Sequence, residues 1–502
     1  MFRRRGLMVT VVVLAALAAG TTTPAAATTA FSPAVVVAKV TGPGSVSNTP
    51  AAWGVYGTDL GVAWDNGAGQ TLFAFGDTFG SAWQPPGGNG DDWRSQVLLR
   101  SSDSSLGDGV SFVSAATDAP GHAKELIPSQ KIDGVEMTVI PTAGVSVGGR
   151  QYMAYMSVRH WGAPGTWDTN YAAIAYSDDN GENWVTTGIP RWENPNGDDK
   201  FQMGGFARVG GFVYLFATPN GRLGDGYVAR VPEADVLDKS AYRYWNGSTW
   251  VAGSDTQATA IVSGPVAELS VRYDAGRSLW LMTYMSGTDI VLRSASAPIG
   301  PWSAPQVVVS DGDFPGLYGG YVHPWSSGDD LYLMVSQWDP YNVYLLRVSL
   351  DGSGSIVRPN LVADPGFERQ ASGAPSSPWA CLGQCGVDAA LWGFSGDRNG
   401  FVRYNSGWQD IHQLVGVQSD TDYVLTAWLR TSGNNDNGFV GVRVPGGPPI
   451  AEANFQAIGS WTRFTIPFNS GPRTAIELFT GIWTDNGDMW VQVDDYAIVE
   501  AP

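Results

Sequence analysis

Two aspartates in the first third of the chain have the side-chain type and the spacing of a catalytic carboxylate pair. Asp59 lies in the segment GTDLG, and Asp77 lies in the segment FGDTFG. Between them, the apolar run Leu60–Trp64, a turn at Asp65 and the apolar run 71–75 predict a β-hairpin. The midpoint of positions 59 and 77 falls within this turn. The hairpin should therefore place the two carboxylates at its open end as a directly opposed pair.

A close pair of carboxyl groups is the machinery of glycoside hydrolysis. Two neighbouring carboxylates cannot both ionise at low cost, so one pKa rises and that group can protonate a leaving oxygen while its ionised partner attacks the anomeric carbon. Directly opposed residues have Cβ atoms about 4.5–5.5 Å apart, and retaining glycosidases hold their carboxyl groups about 5–5.5 Å apart. The spacing favours a retaining glycosidase. The alternative is a pair of turn or strand-end aspartates, although the flanking glycines favour close backbone approach.

Substrate contacts are expected from polar and aromatic side chains near the ends of other predicted strands. The candidates are Trp161, His160, Gln202, Glu268 and His323. Glu268 stands in an apolar strand entry, where an unpaired carboxylate is costly, so a salt bridge to an arginine, such as Arg272, is an equal alternative to substrate binding. For the two histidines, the alternative is a hydrogen-bonded structural role.

The elements that must position these residues are short strands. Residues 31–350 repeat one pattern five times: a short strand, a Gly- or Asp-rich turn, and an apolar strand rich in aromatic residues. The first copy is GTDLGVAWDNGAGQTLFAFGD and the last is GGYVHPWSSGDDLYLMVSQ. Repeated four-stranded units predict an all-β fold, a five-bladed β-propeller.

The chain changes character after this region. Residues 351–359 are rich in Gly and Ser and are expected to form a linker. Residues 360–502 alternate as strands and resemble the jelly-roll β-sandwich of carbohydrate-binding modules. In that group a Glu after the first strand and an Asp in the last strand often hold a structural calcium, and Glu368 and Asp494 match these positions, with Asp495 as an alternative. The other interpretation is that these acids cap strands and point to water.

The same C-terminal region contains both cysteines and several tryptophans. In an exported protein, Cys381 and Cys385 are expected to form a small disulfide loop, because two cysteines without a neighbouring histidine cannot complete a tetrahedral zinc site. One or two tryptophans are expected to be exposed and to bind glycan. The candidates are Trp379, Trp392, Trp408, Trp428 and Trp483.

The first 30 residues have the composition of an export signal and leader. Arg3, Arg4 and Arg5 precede an apolar run at 7–19 that is too short to span a membrane. The mature protein is therefore expected to be secreted and extracellular, and we expect a monomer. A formal net charge of -18 argues against nucleic acid and anionic membranes as partners.

The propeller region resembles domain-of-unknown-function family 4185, which is also classified as glycoside hydrolase family 183. The resemblance covers about Ala51 to Leu350 and rests on GTDLG, FGDTFG, MTVIPTAGV, SVRHWG, YAAIAYSDDNG and GGYVHPW. It implies an endo-D-arabinanase that cleaves α-D-arabinofuranosidic bonds of mycobacterial arabinogalactan and lipoarabinomannan, with retention and with no cofactor for catalysis. Asp59 and Asp77 match the two aspartates of its first blade. By analogy with furanosidase propellers, Asp59 is the nucleophile and Asp77 the general acid/base, or the reverse.

Two other functions stay open. A lectin-like propeller would bind glycan without catalysis. A sialidase-like enzyme is suggested by one Asp-box turn at Ser177–Trp184, and another furanosidase propeller enzyme is a further alternative. However, a sialidase needs a Tyr nucleophile and several converging arginines, and sialidases usually repeat the Asp-box.

Overall fold

Almost all regular structure in the computed structural model is β-strand, which confirms the all-β prediction. The structure describes residues 32–357, 359–389, 393–485 and 487–501. The export signal predicted at 1–30 and Trp392 lie outside these residues. Within them, the helical elements are α1 (Thr49–Trp53) and four 3-10 turns, Leu106–Asp108, Glu233–Asp235, Lys239–Ala241 and Asp255–Gln257. None of these described helices has the length to cross a membrane.

The described strands before residue 358 form five antiparallel sheets and one small ribbon. The chain opens with β1 (Val35–Lys39). Sheet 1 contains β2 (Leu60–Asp65), β3 (Thr71–Phe75), β4 (Val97–Ser101) and β5 (Ser114–Ala115), and the ribbon β6 (Thr117–Ala119) and β7 (His122–Ala123) follows. Sheet 2 contains β8 (Thr138–Val147), β9 (Arg150–Trp161), β10 (Trp167–Ser177) and β11 (Arg191–Glu193).

The next three sheets continue in chain order. Sheet 3 contains β12 (Met203–Val209), β13 (Phe212–Thr218), β14 (Tyr227–Pro232), β15 (Arg243–Trp245) and β16 (Trp250–Val251). Sheet 4 contains β17 (Ala267–Asp274), β18 (Leu279–Ser286), β19 (Asp289–Ala295) and β20 (Gln306–Val309). Sheet 5 contains β21 (Leu317–Val322), β22 (Asp330–Gln337) and β23 (Asn342–Leu350), and both β1 and β24 (Ile356–Val357) pair with β23.

The first strands of the five sheets, β2, β8, β12, β17 and β21, form a closed ring. Each contacts the next in chain order, and β21 contacts β2. Sheet 5 takes strands from both ends of this region, because β1 pairs with β23, with Val35 opposite Arg347 and Lys39 opposite Tyr344. Because β1 precedes sheet 1 in the chain and pairs with β23 of sheet 5, the start of the described chain connects the last sheet to the first.

Four of the five first strands contain a register shift near the ring. The shifts lie between Leu60 and Val62, Pro141 and Ala143, Ala267 and Ser270, and Gly319 and Tyr321. Such bulges re-aim side chains and are frequent beside active sites. Two of them contain a non-glycine residue with positive φ, Leu60 at 67° and Glu268 at 39°, a conformation uncommon for residues with a Cβ.

The segment predicted as a linker is partly ordered against sheet 5. Val357 of β24 lies opposite Ser349, and the Asp351 carboxylate accepts hydrogen bonds from the backbone N–H groups of Ser353 and Ser355. The Gly/Ser composition thus forms a tight turn that returns the chain to β23, and residues 351–357 of the predicted linker are ordered against sheet 5.

The C-terminal residues form two five-stranded antiparallel sheets around one core. Their strands are β25 (Trp379–Leu382), β26 (Cys385–Asp388), β27 (Asn399–Tyr404), β28 (Gly407–Gly416), β29 (Asp422–Thr431), β30 (Gly438–Arg443), β31 (Pro449–Phe455), β32 (Thr462–Asn469), β33 (Ala475–Thr484) and β34 (Met489–Glu500). Sheet 6 has the order β25-β28-β33-β30-β31, and sheet 7 has the order β26-β27-β34-β29-β32. Cys381 and Cys385 form the predicted disulfide.

Candidate active site

A cavity of about 950 Å³ opens at the ring of first strands. Every first strand contributes to its lining, and Asp59 and Asp77 are both part of it. The strand residues include Leu60, Thr142, Met203, Glu268 and Tyr318. The cavity therefore lies where the five sheets meet, and the first hairpin delivers both predicted carboxyl groups to it.

The pairing of Asp59 differs from the prediction by one residue. Leu60 lies opposite Phe75, whereas Val62 lies opposite Ala74, so Gly61 is an extra residue in β2. Asp59 consequently lies opposite Gly76, whose N–H donates to the Asp59 carbonyl at 3.1 Å. Direct opposition of Asp59 and Asp77 is wrong. The sequence signal for this bulge was Gly61, because a glycine within a strand pattern often marks a bulge. In the structure Gly61 has a φ of 74°.

Asp59 has one anchored and one unpartnered carboxylate oxygen. The Tyr318 hydroxyl donates to Oδ2 at 2.9 Å, while Oδ1 is buried and accepts no hydrogen bond from the described residues. A Cβ at Gly76 would lie 2.2 Å from Oδ1, so this position requires glycine. Burial and, secondly, the charge of Asp77 raise the pKa of Asp59 to about 7, against the opposing effects of the Tyr318 and Tyr341 hydroxyls.

Asp77 is held by two neutral donors. Trp93 Nε1 donates to Asp77 Oδ1 at 2.8 Å, and Thr138 Oγ1 donates to the same oxygen at 2.5 Å. Burial raises the pKa of Asp77 to about 6, and the two hydrogen bonds and the Lys131 charge oppose the rise. Its anion therefore has more stabilising partners than that of Asp59.

Glu268 lines the same cavity and is paired with Arg222. Arg222 Nε and Nη2 donate to Glu268 Oε1 at 2.9 and 2.6 Å, and the guanidinium lies 5.4 Å from the centre of the Tyr318 ring. Arg272, the partner considered from sequence, instead donates to the carbonyl of Ser326. The ion pair thus connects to Asp59 through Tyr318.

Of the predicted aromatic and histidine contacts, only Trp161 reaches the cavity. Trp161 is 38% exposed and packs edge-to-face on Trp167. His160 points elsewhere: its Nδ1 lies 2.6 Å from Asp133 Oδ1, and it lines a neighbouring cavity of about 220 Å³. Adjacent residues of one strand face opposite sides, which separates the two.

Gln202 and His323 are buried structural groups, so their prediction as substrate contacts is wrong. The Gln202 amide accepts from Thr169 Oγ1 at 2.7 Å and donates to the carbonyl of Trp192 at 3.0 Å. His323 Nδ1 accepts from the backbone N–H of Trp325 at 3.2 Å. Burial lowers the pKa of His323 to about 3, so the imidazole is neutral.

The comparisons with known proteins begin with the family. A model of the family described as "Domain of unknown function (DUF4185)" matches residues 44–347. The chain belongs to the DUF4185 family. Among curated relatives of this DUF4185 member, "Notoamide biosynthesis cluster protein J" of an Aspergillus species is 37% identical over 310 residues, which are 57% of this chain and 80% of the relative. An uncharacterized 35.9 kDa protein of Mycolicibacterium smegmatis is 25% identical over 344 residues, 61% of this chain and 97% of that protein.

Solved structures resemble the DUF4185 member weakly. An exo-β-1,3-galactanase from Phanerochaete chrysosporium covers 93% of this chain and 99% of its own at 15% identity and a TM-score of 0.44. A glycoside hydrolase family 43 arabinoxylan arabinofuranohydrolase from Bacillus subtilis covers 93% and 99% at 11% identity and a TM-score of 0.35. At these scores, functional conclusions depend on the chain's own residues.

The partners of the two aspartates in this DUF4185 member were missed at the sequence level. Trp93, Thr138 and Tyr318 come from three different sheets or loops, and no local spacing connects them. Thr138 had a signal, since it is the second residue of the segment MTVIPTAGV. Arg222 lies in a loop after β13 and had none.

Of the two acids matched to a calcium site, Asp494 in β34 is buried, whereas Glu368 precedes β25 and is half-buried. Glu368 Oε1 accepts from the N–H groups of Asp397 and Arg398, each at 3.0 Å, and Asp494 Oδ2 accepts from Phe394 N–H at 2.6 Å. Burial, then repulsion from neighbouring acids, raises the pKa of Asp494 well above its usual range. The described residues contain no group of three or more His, Cys, Asp or Glu arranged for a metal.

Proposed function

We propose that this DUF4185 member is a glycoside hydrolase whose catalytic pair is Asp59 and Asp77. The observation that carries this function is a shared cavity of about 950 Å³ in which the pKa values of the two carboxyl groups are raised to about 7 and about 6. Acid and base catalysis is most efficient when the pKa lies near the working pH. A glycan-binding pocket without chemistry has no use for two carboxyl groups that are costly to desolvate.

The hydrogen bonds favour Asp59 as the proton donor and Asp77 as the ionised group. The buried Oδ1 of Asp59 has no donor among the described residues, which favours a proton on this carboxyl. Asp77 receives hydrogen bonds from Trp93 and Thr138 and the field of Lys131, which stabilise its anion. These are the reverse of the roles given by analogy with furanosidase propellers.

The proposed substrate is D-arabinan with α-D-arabinofuranosidic bonds, as the family resemblance implies. Aromatic side chains that suit furanose rings line the cavity, among them Trp93, Trp161 and Trp338. The cavity shares Gly165, Thr166 and Arg222 with the neighbouring cavity of about 220 Å³. Two adjoining cavities offer room for more than one sugar ring, which supports action on a polymer; endo action rests on the family resemblance. Retention rests on the family resemblance alone, since the two aspartates are not directly opposed.

The proposed architecture is a five-bladed propeller followed by a jelly-roll sandwich. Support for the propeller comes from the closed ring of β2, β8, β12, β17 and β21 and from the sharing of sheet 5 by β1 and β23. Support for the sandwich comes from sheets 6 and 7, which share one core. The mature protein is also proposed to be a secreted monomer, and the Arg-rich start followed by an apolar run supports its secretion.

A structural calcium in the C-terminal domain is part of the proposal. Glu368 and Asp494 would hold it, with backbone carbonyls as the other ligands; a Cβ at Gly393 would lie 2.3 Å from the Arg398 carbonyl oxygen and 2.5 Å from Asp494 Oδ2, so the two oxygens are close together. Asp495 Oδ2 is buried and unpartnered, a further sign of uncompensated negative charge. Hard oxygen ligands fit calcium. Chelator should lower the unfolding temperature of the wild type and leave Asp494→Asn unchanged; an equal effect on both would refute the site.

Hydrolysis is tested by incubating the mature protein with mycobacterial arabinogalactan and separating the released oligosaccharides. Asp59→Asn and Asp77→Asn should each reduce release by at least about a thousandfold. Asp65→Asn is the matched control, because Asp65 lies at the other end of the same hairpin. Release of D-arabino-oligosaccharides by the wild type and the control alone supports the proposal. Binding without release by the wild type would favour the lectin-like alternative.

A further inference from the structure

The outward face of sheet 6 carries a set of side chains that the fold alone does not require. Along β28, Ile411 and Val415 enter the core, so the alternate residues Trp408, Asp410 and His412 face outward. Strand pairing places Trp408 opposite Trp483, Asp410 opposite Gly481, and His412 opposite Phe479. Tryptophan therefore faces tryptophan across two neighbouring strands.

Trp408 lies flat over the sheet and is fixed in place. A Cβ at Gly481 would lie 2.4 Å from the Trp408 ring, so the indole covers a backbone position that only glycine allows. Trp408 Nε1 donates to Asp410 Oδ2 at 2.8 Å. Trp483 beside it is 49% exposed. Together the two indoles form an aromatic platform, and such rings combine an apolar surface with a low conformational-entropy cost of binding.

The platform borders a polar network in which two carboxylates, Asp410 and Glu477, share one guanidinium and one imidazole. Buried Asp410 accepts from Arg443 Nη1 at 2.8 Å and lies 2.7 Å from His412 Nδ1. Arg443 also pairs with Glu477, and Glu452 stands opposite Gly441 on the same side of the sheet. Three carboxylates thus accompany one guanidinium and one imidazole. This balance disfavours an anionic ligand and suits a neutral one that is rich in hydroxyl groups.

This face is exposed in the described chain. Leu382 and Leu414, on two of its strands, are 52% and 63% exposed. Sheet 7 makes contact with the preceding sheets instead, since Ala497 and Val499 of β34 pack on Val35 of β1. A polymer strand could therefore lie along sheet 6 while the cavity of the first five sheets stays open.

We propose that the outward face of sheet 6 binds one strand of a neutral polysaccharide, with sugar rings stacked on Trp408 and Trp483. The site rests on the proposed action on polysaccharide and names where the chain is held during that action. The polar atoms of His412, Arg443 and Glu477 lie at the platform's edge, where they would hydrogen-bond to ring hydroxyls. Among the C-terminal tryptophans, Trp408 and Trp483 are thus the two proposed to bind glycan.

The test is a pull-down on insoluble arabinogalactan in the full chain carrying Asp77→Asn, so that binding is measured without hydrolysis. Adding Trp483→Ala should weaken binding at least about tenfold, the cost of losing one stacking residue. Val113→Ala is the control, because Val113 is 57% exposed beside sheet 1 and lines neither of the two cavities, so it should leave binding unchanged. Unchanged binding by the Trp483→Ala protein would overturn the proposal.

A second set of variants separates this face from the cavity. Trp483→Phe should keep most of the affinity for arabinogalactan, because an aromatic ring remains. The protein should not bind polygalacturonate, which is an anionic polymer. If Trp161→Ala abolishes binding while Trp483→Ala and Trp408→Ala have no effect, the cavity alone holds glycan and the proposal is wrong. Binding is measured in the inactive Asp77→Asn protein, so the result does not depend on hydrolysis. A failure of the proposed hydrolase function can therefore be told apart from a failure of this binding site.

Discussion

Thr138→Val tests whether the acid limb of the pH–activity profile belongs to Asp77. The valine keeps the side-chain shape and removes the hydroxyl that donates to Asp77 at 2.5 Å. A hydrogen bond to a charged group contributes about 1.5–3 kcal/mol, which is about 1–2 pKa units. Trp93 remains as a donor, so we expect the lower end: the pKa of Asp77 should rise from about 6 by about one unit.

The sign follows from the role of Asp77 as the ionised group. Activity requires its anion, so a raised pKa moves the acid limb of kcat/KM to higher pH. At pH 6 the ionised fraction should fall from about one half to about one tenth, a roughly fivefold loss beyond any change at the optimum. Thr71→Val is the control, since the buried Thr71 hydroxyl in the same hairpin has no partner among the described residues. An unshifted limb, or one shifted to lower pH, would refute the assignment.

Further expectations concern the other limb, substrate binding and stability. Tyr318→Phe removes the donor to Asp59 and should move the basic limb to higher pH, whereas Glu268→Gln removes a charge that raises the pKa of Asp59 and should move it to lower pH; shifts of the same sign would contradict the network. Trp161→Ala should raise KM for arabinogalactan about tenfold with little change in kcat; an unchanged KM would exclude it as a substrate contact. The pKa of Asp59 is higher in the folded than in the unfolded state, so the folded state favours the protonated carboxyl. The contribution of Asp59 to the free energy of unfolding is therefore complete below its unfolded-state pKa and is lost as pH rises through about 7. Thermal unfolding should therefore show Asp59→Asn to be more stable than the wild type at pH 8, by at most about 4 kcal/mol, and no gain at pH 8 would contradict the buried charge.

The sequence was most informative where structure is local. Alternating apolar runs and glycine turns predicted an all-β chain, and two carboxylates 18 positions apart on one predicted hairpin do share a cavity. The close cysteine pair also formed the expected loop. Each of these depends on neighbours in sequence, for which strand period and turn chemistry are decisive.

Local sequence patterns could not predict which side chains contact each other across different sheets. Glu268 pairs with Arg222 and not with Arg272, because the loop after β13 reaches β17. The closed ring of first strands decides which loop reaches which strand, and the local sequence does not show it. Gln202 and His323 were chosen for their chemistry, yet both are buried, and the Gln202 amide and His323 Nδ1 make hydrogen bonds within the protein. The one-residue displacement of Asp59 came from the bulge at Gly61, where a single inserted residue changes every partner beyond it.

The most direct test of the catalytic pair compares two substrates for Asp59→Asn and Asp77→Asn: arabinogalactan and an α-D-arabinofuranoside with a dinitrophenyl leaving group. A leaving group that needs no proton bypasses the acid but not the ionised partner. Asp59→Asn should lose hydrolysis of the polymer and keep most of its kcat/KM for the activated substrate, which reports the first step alone, while Asp77→Asn should lose both. Full polymer hydrolysis by either variant would contradict the assignment of this pair as the catalytic machinery.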